Sequence, residues 1–94
     1  MTRRVSVFGA TGSIGVSTVD LLTRGRDADP SAYDVVALTG GANVALLAQQ
    51  ARALDASLAV TAHPACLPEL RERLAGTGIG CASGAHAIVQ AARR

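Results

Sequence analysis

Hydrophobic and polar positions alternate between two textures along this chain. Short runs of apolar or β-branched residues at Val5–Phe8, Tyr33–Thr39, Ser57–Thr61 and Ile79–Ala82 predict four strands. The inner runs, such as Val35-Val36-Ala37-Leu38, are continuously apolar, which marks strands covered on both faces, as in parallel sheets. Between these runs, apolar residues recur at three- and four-residue spacing, which predicts helices. The first helix is expected from Ser13 or Ile14 to about Arg24, with Ile14, Thr18, Leu21 and Leu22 inward. Thr11 or Ser13 would cap it, and Gly25 would stop it. Asn43 would cap a second helix running to about Leu54, with Val44, Leu47, Ala48, Ala51 and Leu54 on one face. A third opens at Pro64 or Pro68, turns Leu67, Leu70 and Leu74 inward and ends at Gly76-Thr77-Gly78; a last one covers Ala85–Arg93. Asp27–Ser31 is polar, contains Pro30 and reads as a loop.

Strand–helix alternation repeated three to four times specifies a parallel sheet with helical crossovers. The expected fold is α/β, a Rossmann-like doubly wound parallel sheet of three to four βα units, incomplete at its C-terminus. An unfinished sheet of this kind predicts an exposed edge, an apolar face and a tendency to associate.

The most informative junction is the first. Val5-Ser6-Val7-Phe8 leads into Gly9-Ala10-Thr11-Gly12-Ser13-Ile14-Gly15, a strand, a glycine turn and a helix start in that order. Glycine at 9 permits backbone angles that a side chain forbids. Glycine at 12 lets a pyrophosphate lie against the backbone, and glycine at 15 lets the helix pack close to the strand. The free amides and dipole of the helix start attract an anion. The bland alternative, a strand–helix turn with no ligand, is weakened by the strand before the glycines and the helix after them.

Composition narrows the field. In 94 residues there are one Phe, one Tyr and no Trp, so aromatic platforms for stacking bases are missing. The net charge is +2, and the nine basic residues, all Arg, are scattered apart from the pairs Arg3-Arg4 and Arg93-Arg94. No nucleic-acid partner is expected. The first pair reads as a solvated lead-in to a strand, the second as favourable charge at a helix end. No stretch approaches the roughly 20 apolar residues of a membrane span. Met1-Thr2-Arg3-Arg4 enters a strand without a signal peptide, and two cysteines, Cys66 and Cys81, make no disulfide framework. A reducing, cytoplasmic location is the expectation.

The second informative site is Thr39-Gly40-Gly41-Ala42-Asn43, at the end of the second strand. In dinucleotide folds this loop meets the adenosine ribose, and an acid there holds the 2′-hydroxyl of NAD. This loop carries no acid, and Asp34 is at the far end of the strand, which favours NADP. With no Arg or Lys in the loop, a 2′-phosphate would rest on Thr39, Asn43 and the amides opening the second helix. A glycine turn capped by Asn43 is the plainer alternative. His63 and Cys66, without a second ligand pair, read as a surface histidine and a small buried thiol rather than a zinc site. Cys81 reads as core, Asp20 as an exposed helix position, and His86 as having no catalytic role. No residue is assigned as catalytic and none as a metal ligand.

Together these segments carry a resemblance. Gly9–Gly15 followed by Ser17-Thr18-Val19-Asp20, and Val35-Val36-Ala37-Leu38-Thr39-Gly40-Gly41-Ala42-Asn43-Val44, resemble the N-terminal G-[SA]-T-G-S-I-G…S-T-x-D and V-V-A-L-x-x-G-x-N-V segments of 1-deoxy-D-xylulose 5-phosphate reductoisomerases. That resemblance implies an NADPH-binding domain spanning residues 1–94, about the first quarter of a family member. Gly9, Thr11, Gly12, Ser13 and Ile14 would meet the pyrophosphate and nearby cofactor atoms, and Gly41, Ala42 and Asn43 the adenosine end. Position 42, often basic in that family, is Ala42 here. The implied chemistry is isomerisation of 1-deoxy-D-xylulose 5-phosphate and reduction by NADPH to 2-C-methyl-D-erythritol 4-phosphate, a step of non-mevalonate isoprenoid synthesis. The full-length family is a homodimer that uses Mg or Mn. Its metal ligands, its substrate site and its C-terminal domain are expected to be absent from this chain, which would then not be catalytic alone. Two alternatives stay open: another NAD(P)-binding domain of the semialdehyde dehydrogenase or short-chain reductase type, and a stand-alone, non-catalytic nucleotide-binding module.

Overall fold

The computed structural model describes residues 3–93. Met1-Thr2 and Arg94, which belong to the expected lead-in and the expected basic helix end, lie outside the described residues. Strands β1 (Arg3–Val7), β2 (Tyr33–Gly40), β3 (Leu58–Thr61) and β4 (Gly80–Ser83) form one parallel sheet in the order β1-β2-β3-β4. Helices α1 (Ser13–Ala28), α2 (Val44–Leu54), α3 (Leu67–Arg73) and α4 (Ala85–Ala92) follow the strands in turn, with a short 3-10 turn at Pro64–Cys66 leading into α3. The pattern is the α/β one expected.

Each of the first three crossovers moves the chain one place in the same direction. Right-handed crossovers then put α1, α2 and α3 on one face. Val19 and Leu22 of α1, Leu47, Ala51 and Leu54 of α2 and Leu70 of α3 pack there against Val35, Leu38 and Ala59. Leu38, Leu47 and Leu70 are fully buried, each contributing about 1.5–3 kcal/mol of apolar burial. On the other face, Ala87, Ile88 and Ala91 of α4 cover Val36, Ala37 and Val60. Both faces of β2 and β3 are therefore covered, which is why their sequences are continuously apolar. The apolar face expected to be exposed is covered over these two strands.

Several boundaries differ from expectation. The first strand begins at Arg3, with Arg4 and Asp34 of β2 4.0 Å apart. It ends before Phe8, which is half exposed where the chain starts to turn. α1 does not stop at Gly25 but runs one turn further, to Ala28. A Cβ on Gly25 would come within 2.8 Å of the Tyr33 ring, so this glycine gives β2's first side chain room against the helix. The inward face of α1 is Gly15, Val19 and Leu22, whereas Ile14 is 83% and Leu21 68% exposed. The close approach of Gly15 to the β1 turn sets the helix rotation, and Ile14 and Leu21 lie one residue off that face.

Parallel pairing brings the C-terminal ends of all four strands to one side of the molecule. The loops leaving β1, β2 and β3 therefore open side by side there, which is where open α/β sheets bind ligands.

Candidate functional site

The turn after β1 is built around Gly9, whose φ of +73° lies in the left-handed region. Its amide donates to Thr39 Oγ1 at 3.0 Å, and the Ala10 amide donates to Thr39 O at 2.7 Å. Gly12 closes the turn by donating to Gly9 O at 3.0 Å. Gly15 then passes over the turn so closely that a Cβ there would lie 2.0 Å from Gly9 O. No side chain fits at that position without displacing backbone. Thr11 is half-buried, and its side chain occupies the space a Cβ on Gly40 would need.

Gly12 is the N-cap of α1, with φ −77° and ψ 169°, and no side chain caps the helix. Neither Thr11 nor Ser13 takes the capping role expected of one of them. The first helical acceptor bond is Val16 N–H to Gly12 O at 2.8 Å. Among the described residues, the amides of Ser13, Ile14 and Gly15 meet no protein acceptor. Gly12, Ser13 and Ile14 are exposed. Gly12's backbone angles are open to any residue, and a Cβ would meet only Gly9 O at 3.4 Å. Neither strain nor packing explains a glycine here. Open space above three unpaired amides does, and it fits a pyrophosphate at the positive end of a helix dipole.

Gly41, Ala42 and Asn43 follow β2 on the same side of the sheet, with Ala42 and Asn43 exposed. Asn43 caps α2 as expected, its Oδ1 accepting from the Leu46 amide at 3.2 Å. The Val44 amide donates to Ala42 O at 2.9 Å. The start of α2 is thus largely satisfied by its own chain, unlike that of α1. Thr39, an expected phosphate partner, is 4% exposed and bonded to the Gly9 amide. It is a strut between the two loops and cannot reach a ligand. Asp34 sits six residues before Gly40, about 20 Å away along the strand, and is exposed beside Arg4.

One residue of the site was not anticipated. Gln50 of α2 is 5% exposed, and its Nε2 donates to Ala10 O at 2.7 Å. Ala10 is thereby held from both sides, by Thr39 and by Gln50. Gln50 Oε1 is buried without a partner among the described residues. The available signal was a polar residue on the Leu47–Ala51–Leu54 stripe.

The remaining candidates stand apart. Asp20 pairs with Arg24 at 3.1 Å on the exposed side of α1. His86 lies 3.4 Å from Gln90 on α4. Cys81 packs against the main core, where burial pushes its thiol up from the usual range, partly opposed by the Arg71 charge. Among the described residues no three of His, Cys, Asp and Glu converge where a metal ion could bind. No helix among them is long and apolar enough to cross a membrane.

Comparison with known proteins gives the relatives of this chain and of its fold. The family described as 1-deoxy-D-xylulose 5-phosphate reductoisomerase matches residues 5–94. The enzyme of that name from Cereibacter sphaeroides is 61% identical over 92 residues, which is 98% of this chain and 23% of that protein. The one from Paracoccus denitrificans is 56% identical over the same share of each chain. In structure, the Zymomonas mobilis reductoisomerase solved in complex with NADPH superposes with a TM-score of 0.91 at 47% identity, covering 98% of this chain and 23% of that one. A reductoisomerase in complex with magnesium superposes with a TM-score of 0.79 at 26% identity, over 98% of this chain and 22% of that one. The chain spans about a quarter of the length of these relatives. With the glycine turn, the S-T-x-D run and the G-x-N loop all inside the matched span, this chain belongs to the 1-deoxy-D-xylulose 5-phosphate reductoisomerase family.

Proposed function

We propose that this chain is the NADPH-binding segment of a 1-deoxy-D-xylulose 5-phosphate reductoisomerase. The observation that carries the assignment is the start of α1: three unpaired amides beneath a glycine that its own conformation does not require. Thr11, Gly12, Ser13 and Ile14 would hold the pyrophosphate and the atoms beside it, with Gly9 shaping the turn. Gly41, Ala42 and Asn43 would line the adenosine end. Exposure of Ile14 at the first turn of α1 suits an apolar residue that covers a bound cofactor. NADPH supplies the hydride when bound, while these residues bind and orient it.

For the whole protein, the proposal extends to reduction and isomerisation of 1-deoxy-D-xylulose 5-phosphate to 2-C-methyl-D-erythritol 4-phosphate. A divalent Mg or Mn ion held by residues outside the described ones, a homodimeric assembly and a cytoplasmic location complete it. The boundaries 1–94 are proposed as the N-terminal part of the dinucleotide-binding domain.

The test is a fluorescence titration with NADPH of the wild-type protein and of Gly12→Asp. Aspartate is a better N-cap than glycine by a few tenths of a kcal/mol, but its carboxylate would occupy the pyrophosphate's place. The variant should melt no lower than wild type and lose NADPH affinity by more than tenfold. Wild-type affinity retained in the variant would remove the cradle from the binding site.

A further inference from the structure

The set expected to hold a 2′-phosphate after β2 is depleted in the structure. Thr39 is buried, the Val44 and Leu46 amides are taken, and Ala42 offers a methyl group. Beside this loop stands His63. Gly40 of β2 pairs with Thr61 of β3, so the residues after each strand emerge next to one another. The Ala62 amide donates to Gly40 O at 2.8 Å. Thr61 Oγ1 donates to Gly41 O at 2.8 Å and accepts from the His63 amide at 3.2 Å. One hydroxyl therefore ties the two loops in register. The His63 ring lies over Gly41, with Nε2 3.8 Å from the point a Cβ on Gly41 would occupy, and the residue is exposed. An imidazole offers an N–H donor and, when protonated, a positive charge. A phosphomonoester is the natural acceptor for such a charge-assisted bond.

Resting on the NADPH assignment above, we propose that His63 is a specificity-determining residue whose Nε2 recognises the 2′-phosphate of NADPH, the group that NADH lacks. Glycine at 41 leaves the ring and the phosphate room to meet. The other basic side chains near this loop, Arg52 and Arg73, line a groove along α2 with Asn43, and Arg73 is already paired with Glu69 at 2.8 Å.

The test measures NADPH and NADH affinity by titration of the intact protein, as wild type, His63→Gln, His63→Lys and Arg52→Gln. His63→Gln should bind NADPH about tenfold more weakly and NADH as wild type does, so the preference ratio falls about tenfold. His63→Lys should keep the preference, and Arg52→Gln should leave it unchanged. The unchanged NADH affinity doubles as the check that the His63 variants are folded. An equal loss of both cofactors in His63→Gln would assign the ring to the adenine or to the fold and overturn the proposal. So would no loss at all, or a preference that falls in Arg52→Gln instead. A wild-type protein that binds neither cofactor would refute the NADPH assignment itself, and this inference with it. Wild-type binding of both with equal affinity would refute this inference alone.

Discussion

Single residues in this site divide by what their substitution should disturb. Gly15 is constrained by contact: a Cβ 2.0 Å from Gly9 O forces backbone apart. Gly15→Ala should therefore destabilise the fold by about 1–3 kcal/mol, the usual cost of overpacking, seen as a lowered urea midpoint. Gly12 has no such contact, a Cβ there meeting only Gly9 O at 3.4 Å, and in the proposed site only the ligand would constrain it, so it should respond in the opposite way. Gln50 lies between these cases. Gln50→Glu would set a carboxylate against Ala10 O, costing about 2–3 kcal/mol at neutral pH. A buried glutamate has a raised folded-state pKa, so its penalty is largest above that value and fades as the pH falls, when the protonated acid can donate to Ala10 O. A stability deficit that stays constant from pH 7 to pH 4 would show that the cost does not come from a carboxylate set against Ala10 O. The glycines and the Asn43 cap were legible in the sequence because their causes are local. Gln50, the buried role of Thr39 and the Thr61–His63 bridge were not, because each depends on which strand or helix lies alongside.

At the level of elements, the two helix starts contrast. α2 carries its own cap in Asn43, its Oδ1 accepting from the Leu46 amide, and Asn43→Ala should cost about 1 kcal/mol of stability in the absence of NADPH. α1 has no side-chain cap, so a bound pyrophosphate would complete its first turn. Hydrogen exchange should show this: NADPH should slow the amides of Ser13–Val16 far more than those of Ala45–Leu47. Equal slowing in both would place the anion elsewhere. All four strands and four helices were visible in the apolar pattern, because runs covered on both faces and helical stripes differ in period. The end of α1 and its rotation were not visible. Gly25 looks like a stop until Tyr33 is packed on it, and Ile14 and Leu21 look like core until Gly15 fixes which side faces the sheet.

At the level of the whole molecule, α4 crosses to the face opposite α1–α3, and β1 pairs only with β2 among the described residues. The free edge of β1 offers unpaired backbone groups to another chain. Expressed as these 94 residues alone, the chain should self-associate in sedimentation as its concentration rises. A monomer across the whole range would show that Arg3 and Arg4, both exposed on that edge, are sufficient guards. The parallel sheet also gives the molecule two unlike ends. Gly9–Gly12, Gly41–Asn43 and Ala62–His63 all open at one of them, while Asp29–Ala32, Asp55–Ser57 and Gly76–Ile79 turn at the other. Tolerance to change should be polarised in the same way: a dye, an affinity tag or an inserted peptide belongs at the second end, a full strand length from the proposed cofactor site, and evolutionary drift in loop length should collect there too.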